Sequence, residues 1–371
     1  MHRAVSLIVL IFLAGIGCRP AAHPSTNAPV FVASSWSEAD RLFRNDPQWA
    51  GADDAYSIDL GEGRTLWLFG DTFIDTTSRR AREGASFIRN SIGIQTGYDP
   101  SNATMDFYWR TNSDGAPASF FPERDGEWFW PGHGVRIGDQ LLLFLMRIRS
   151  TGTGLMFEGY DWEAVLVGNL DADPLAWDVK WLETPGNDLG VIVGSAGVVV
   201  VGEHLYAFGS QEPVVPHPIF VVRWPVDEVV RGDLANMEWW TGAETGWMHQ
   251  SEAELRPQPV YQNGQTEQTI HYDEASRRFL QVQTMGFGPA VITLRAADQL
   301  TGIWSEPDTI YTPPEFSRPN VMIYAGKAHP QLAGADLVLT YATNTLDFTE
   351  LFSDSLIYYP RFIRLTRGVT K

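Results

Sequence analysis

From residue 30 onward, short segments in which apolar and polar side chains alternate recur in pairs separated by tight turns. Alternation with period two is the pattern of a strand with one buried face. Five such pairs occur: DAYSIDL with TLWLFGD, HGVRIGD with LLLFLMR, SAGVVVVG with HLYAFGS, EQTIHYD with RFLQVQT, and AHPQLAG with LVLTYAT. Between their members lie Gly61-Glu62-Gly63, Gly138-Asp139, Gly202-Glu203, Asp273-Glu274 and Gly334-Ala335, residue types that hairpin turns favour. A third apolar strand follows each hairpin (NSIGIQT, EAVLVGN, IFVVRWP, AVITLRA, PRFIRLT), and four units add a fourth segment, MDFYWR, WDVKWLE, MEWWTG or WSEPDTIYT. The fifth unit lacks one, and PVFVASSW, near the N-terminus, is a free strand that completes it. The pattern predicts an all-β, five-bladed β-propeller over residues 30–371, with blades of about four antiparallel strands and closure by the N-terminal strand.

Composition agrees with many short strands. Gly (34), Pro (23), Trp (14) and Phe (20) are abundant while only 19% of residues are charged, which disfavours a helical bundle. A formal charge of −18 repels phosphate backbones, so nucleic acid is excluded as a partner. The one cysteine, Cys18, leaves no intrachain disulfide to form. It follows a basic start (His2, Arg3), an apolar run from Ala4 to Leu13 and small residues, the plan of a signal peptide over residues 1–17 that is too short to span a bilayer. A Cys directly after small residues resembles a bacterial lipobox. Residues 18–29 are therefore expected to be a lipidated cysteine and a Pro-, Ala-, Ser- and Thr-rich tether. The expected product is an exported, membrane-anchored lipoprotein facing the periplasm or cell surface, monomeric in its propeller domain.

In a propeller the innermost strand of each blade starts beside the axis at one face, and the second strand returns to that face. Starts of first strands and ends of second strands therefore converge on one axial pocket. Those positions carry Asp53, Asp54, Asp71, His133, Arg147, Glu212, Glu267, His329 and Asn344; Arg89-Asn90 opens a third strand, and Trp130 lies in a loop of the same face. Carboxylates beside aromatic rings suit a sugar, whose CH face stacks on rings while its hydroxyls need acceptors. Glycoside hydrolysis needs two carboxyl groups in different environments. Asp54 is the candidate for the ionised one, with Asp53 as its replacement because strand alternation points only one of the two inward. Asp71, Glu212 and Glu267 are the other catalytic candidates, and Asp53, Arg89, Asn90, Trp130, His133, Arg147, His329 and Asn344 are candidates for substrate binding. No phosphate loop, zinc pattern or complete calcium loop occurs, so no cofactor is expected; His133 and His329 leave open a structural cation in the axial channel.

GADDAYSIDLGEGRTLWLFGDTFI, followed by RNSIGI, WPGHGVRIGDQLLLF, LTGIWSEPDTIYTPPE and AHPQL with LVLTYATNT, resembles domain-of-unknown-function family 4185 of secreted bacterial five-bladed propellers. The resemblance implies a carbohydrate-active fold related to arabinanase-like glycoside hydrolases, some members being endo-acting on D-arabinan. It implies an acid on the third blade, which favours Glu212 over Glu267, while the acid of the second blade is replaced here by His133. The expected function is a hydrolase of pentofuranose-rich, arabinan-type polysaccharide, with Asp54 as base, Glu212 as acid and inversion at the anomeric carbon. The alternative is a non-catalytic surface lipoprotein that binds glycan or protein.

Overall fold

The computed structural model describes residues 28–368 except 153–156, 213–215, 253 and 287; the signal peptide, Cys18 and most of the tether lie outside the described residues. Five antiparallel sheets follow one another along the chain. Blade 1 comprises Trp49–Gly61, Arg64–Ile74, Ser91–Thr96 and Thr104–Tyr108, with Ser86–Ile88 paired to the end of its second strand. Blade 2 comprises Trp128–Ile137, Gln140–Ser150, Phe157–Gly168 and Asp178–Trp181. Blade 3 is Val191–Val201, His204–Gln211, His217–Pro225 and Glu238–Trp240, extended by Trp247–His249. Blade 4 is Thr269–Asp273, Arg278–Gly286, Ala290–Ala297 and Asp308–Tyr311. Blade 5 is Val321–His329, Leu337–Thr345 and Arg361–Arg367, and its fourth strand is the N-terminal Phe31–Ser35, paired from Phe31 opposite Arg367 to Ser35 opposite Ile363. The protein is a five-bladed β-propeller. Aromatic side chains fill the seams between blades: Phe144 and Trp162 pack with Trp224 between blades 2 and 3, and Trp49, Trp67 and Phe69 pack with Phe362 between blades 1 and 5.

Four of the five inner strands begin earlier than the apolar alternation suggests, blade 4 being the exception. In blade 5 the first strand is Val321–His329, so the AHPQLAG segment is its last two residues and the connection after it. His329 therefore ends an inner strand instead of opening one, and His133 lies past the middle of Trp128–Ile137. Four of the five inner strands also break register with their neighbours, at Ala52–Tyr56, around Gly132–His133, between Val193 and Val198, and between Tyr324 and Lys327. Such bulges bend a strand and re-aim side chains where strands crowd an axis. They also erase the period-two signal, which is why the upstream half of each strand is not legible as strand.

Candidate active site

The bulge in blade 1 assembles the site. Asp54 and Ala55 have left-handed φ of 70° and 65°, conformations that non-glycine residues rarely adopt. Two left-handed residues in succession cancel the alternation, and both Asp53 and Asp54 enter one cluster of charged groups; the expectation that only one does is corrected here. Ala325 and Tyr358, also left-handed at 53° and 59°, flank the same cluster. Strain gathered in one place is characteristic of a functional site.

Asp54 lies deepest. Its side chain is 1% exposed, and Lys327, itself fully buried on the inner strand of blade 5, places Nζ 2.7 Å from Asp54 Oδ1. Lys327 also donates to the Asp54 backbone oxygen at 2.8 Å, sits 4.2 Å from the centre of the Tyr56 ring and reaches to 4.0 Å from Glu267 Oε1. Burial pushes the Asp54 carboxyl well above the ordinary range; Lys327 pulls it back and Glu267 raises it again. Asp53 accepts a hydrogen bond from Tyr324 Oη at 2.7 Å, and burial followed by the nearby Asp71 and Glu267 charges raises it well above the ordinary range too.

Room for Asp53 comes from Gly70 on the neighbouring strand. A Cβ there would stand 2.6 Å from Asp53 Oδ1. Gly70→Ala is expected to lower folding stability by about 1–3 kcal/mol, the usual cost of overpacking. Urea unfolding checks this, and an unchanged midpoint would refute the close approach.

Asp71, the residue after Gly70, faces the mouth of the cluster with its side chain 15% exposed. Trp130 Nε1 donates to Asp71 Oδ1 at 2.9 Å, and Arg89 lies 3.6 Å from Oδ2. Burial pushes Asp71 up to about 6 against the opposing pull of Arg89 and Trp130. Glu267, two residues before the inner strand of blade 4, has its side chain 25% exposed. Glu212, just past the second strand of blade 3, is held as an acceptor: its Oε1 takes bonds from Thr266 Oγ1 at 2.6 Å and Ser210 Oγ at 3.2 Å, and His217 Nδ1 lies 3.1 Å away.

The other expected residues separate from this centre. Asn90 is buried and fully used, donating to the backbone oxygens of Phe121 and Phe129 and accepting from the Phe121 N–H, so it clamps a loop and does not face substrate. His329 is buried between Ser57 and Thr340, which occupy both ring nitrogens. His133 Nδ1 accepts from the Val198 N–H, and its ring stacks on Tyr56 on the side away from the carboxylates. With His271 it lines a cavity of about 550 Å³ that also contains Ser57, Asp59 and Gln331. Burial holds His133 and His271 down at about 4, hence neutral. Arg147 is engaged by Glu127 at 2.6 Å and Asp161 at 3.2 Å, and Asn344 Oδ1 accepts from the Thr345 N–H. The removal of the two histidines from the site follows from the early strand starts, which put His133 past the middle and His329 at the end of their inner strands. Among the described residues, no group of three or more His, Cys, Asp or Glu is arranged to hold a metal ion. Lys327, Tyr358 and Gly70 have no role assigned from sequence, and Tyr324, read there as a loop aromatic of the pocket face, lies on the inner strand of blade 5.

The domain of unknown function DUF5005 matches residues 37–367. The chain belongs to the DUF5005 family. This corrects the resemblance to family 4185: the blocks that carried it are propeller hairpins, whose alternation and Gly-Asp ends follow from blade geometry. No curated protein sequence matches the chain. Among solved structures, this DUF5005 protein is similar to a "putative hydrolase" from Bacteroides ovatus, 17% identical over 92% of this chain and 93% of that chain, with a TM-score of 0.71. It also matches the catalytic domain of the Coprinopsis cinerea GH62 alpha-L-arabinofuranosidase, 9% identical over 92% and 95% of the two chains, with a TM-score of 0.49. The alpha-L-arabinofuranosidase from Lactobacillus brevis is 15% identical over 88% and 93%, again at 0.49. The first likeness establishes a shared fold.

Proposed function

We propose that this DUF5005 protein is an extracytoplasmic glycoside hydrolase acting on pentofuranose-rich, arabinan-type polysaccharide, with Asp71 as proton donor and Glu267 as base. The observation that carries the reading is the set of neighbouring carboxyls in unlike environments, among which Asp71 is only partly exposed and pushed up to about 6. A group with that value still carries protons near neutral pH and returns to its charged form easily. Asp54, the base expected from sequence, is sealed beneath Lys327 and out of a sugar's reach; Glu212, the expected acid, already accepts bonds from two hydroxyls. In the proposed reaction the Asp71 proton passes to the glycosidic oxygen as its bond to the anomeric carbon breaks. Water attacks that carbon and gives its proton to Glu267, so one water is consumed per bond. Asp53, Asp54 and Lys327 hold the floor, and Arg89 and Trp130 orient Asp71.

Incubating the purified propeller domain with linear and branched arabinans, arabinogalactan and xylan tests this. New reducing ends from arabinan are expected. If the wild type cleaves none of them yet is retained by one, a glycan-binding surface protein is the correct reading.

A further inference from the structure

Aromatic side chains on the carboxylate face form a connected row with Asp71 near its middle. Phe157, which opens the third strand of blade 2, meets Trp130 with ring centres 4.7 Å apart. Trp130 meets Trp128 at 6.4 Å, and the Arg89 guanidinium lies 4.3 Å over Trp128 and 5.4 Å over Phe87. From Phe87 the row passes to Phe73 at 4.8 Å, to Phe352 at 6.2 Å and to Phe348 at 6.0 Å, the last two on the short helix Phe348–Ser353 of blade 5. Its members alternate between support and platform: Phe73 and Trp128 are buried, while Phe157, Phe87, Phe352 and Phe348 are 48%, 45%, 42% and 49% exposed.

Large aromatics exposed in a connected row are unusual on a soluble surface, where single ones are the norm. Polar groups interrupt this row where it crosses the site: Asp71 beneath Trp130, the half-open Arg89 between two rings, and the buried Trp128 Nε1, which has no hydrogen-bond partner. Rings spaced with donors and acceptors match a chain of sugars, each offering an apolar face and hydroxyls. An anionic lipid surface fits poorly, because the 45 acidic residues of this chain outnumber its 27 basic ones, a net charge of −18.

We infer that the row from Phe157 to Phe348 is an extended binding track for a linear polysaccharide, passing over Asp71, so that the substrate is an internal stretch of polymer. This rests on the glycoside hydrolase reading and names its substrate as long-chain glycan. Phe157 and Phe348 stand at opposite ends of the track and are half exposed, so their truncation spares the core.

The test compares the wild type with Phe157→Ala, Phe348→Ala and the double variant in two assays. Native gels cast with linear arabinan report binding without any need for turnover, and the ratio of turnover on arabinan to turnover on an arabinotriose reports the length of chain used. Each single variant is expected to lose up to about tenfold in polymer affinity and in that ratio, the size of one stacking contact. Wild-type mobility and an unchanged ratio in the double variant would overturn the track while leaving a hydrolase in place. Lost retention in a protein whose wild type cleaves nothing would keep the track and reject the hydrolase. Binding of phosphatidylcholine vesicles that both truncations abolish, with glycan retention intact, would assign the row to lipid and overturn it.

Discussion

Lys327→Met is expected to cost about 3–5 kcal/mol of folding stability at pH 8, the penalty for removing one member of a buried ion pair. Lys327 is fully buried, and its ammonium is ion-paired with Asp54 Oδ1 and donates to the backbone oxygen of Asp54 while lying over the Tyr56 ring. Methionine fills much the same volume, so the loss isolates the charge. For a domain of this size it lowers the melting temperature by roughly 4–7 °C. The loss also grows with pH. Without Lys327 the folded Asp54 carboxyl, already raised by burial, rises further, and a carboxyl raised in the folded state contributes stability that is present at low pH and lost as pH climbs. At pH 5 Asp54 takes up a proton and the deficit shrinks. Adding Asp54→Asn should restore most of the lost stability at pH 8, since no unpaired charge then remains. A single variant that melts within about 2 °C of wild type at pH 8, the scale of an exposed pair, would refute a buried ion pair as the floor of the site.

Five blades were legible because each hairpin pairs an alternating strand with a strongly apolar one, as in TLWLFGD and LLLFLMR, with turn residues between them. The same logic misplaced the strand starts. Bulges at Asp54-Ala55 and between Tyr324 and Lys327 break the alternation, so the stretches that hold the site, WAGADD and VMIYAGK, do not look like strands. Asp53, Asp54, Asp71 and Glu267 were still found, because hairpin ends and starts converge whatever the local register. His133 and His329 were placed at the wrong end of the axis because the segment that opens with His133 is the second half of a strand, and the one that holds His329 is a strand's last two residues and the connection after it. Lys327 left one faint trace: it is one of three lysines in the chain and the only one inside a hairpin unit's first strand. What no local pattern can reveal is that a lysine of blade 5 neutralises an aspartate of blade 1, since 273 residues separate them and only ring closure joins them.

Asp71→Asn is expected to lower turnover on arabinan about 10²-fold or more while leaving polymer binding in native gels largely intact, the usual weight of a general acid. Two further signatures separate loss of an acid from loss of structure. The wild-type rate should fall as pH rises through about 6, because the proposed donor then empties, and that limb should be absent from whatever activity the variant retains. In the variant, stability at pH 8 should rise while activity falls. The folded Asp71 carboxyl is raised from 3.8 to about 6, so the folded state holds its proton more tightly than the unfolded chain does. Its contribution is fully present below about pH 4 and disappears as pH climbs through about 6, a swing of up to about 3 kcal/mol. Asparagine carries no charge to desolvate, so the variant should melt at a higher temperature than wild type at pH 8 and alike near pH 4, less what the Trp130 and Arg89 contacts lose. A variant that is inactive and less stable at both pH values would mean that Asp71 holds the mouth together and gives no proton. Glu212 would then be the acid to test, since it is partly exposed and bonded to Thr266, the residue before Glu267.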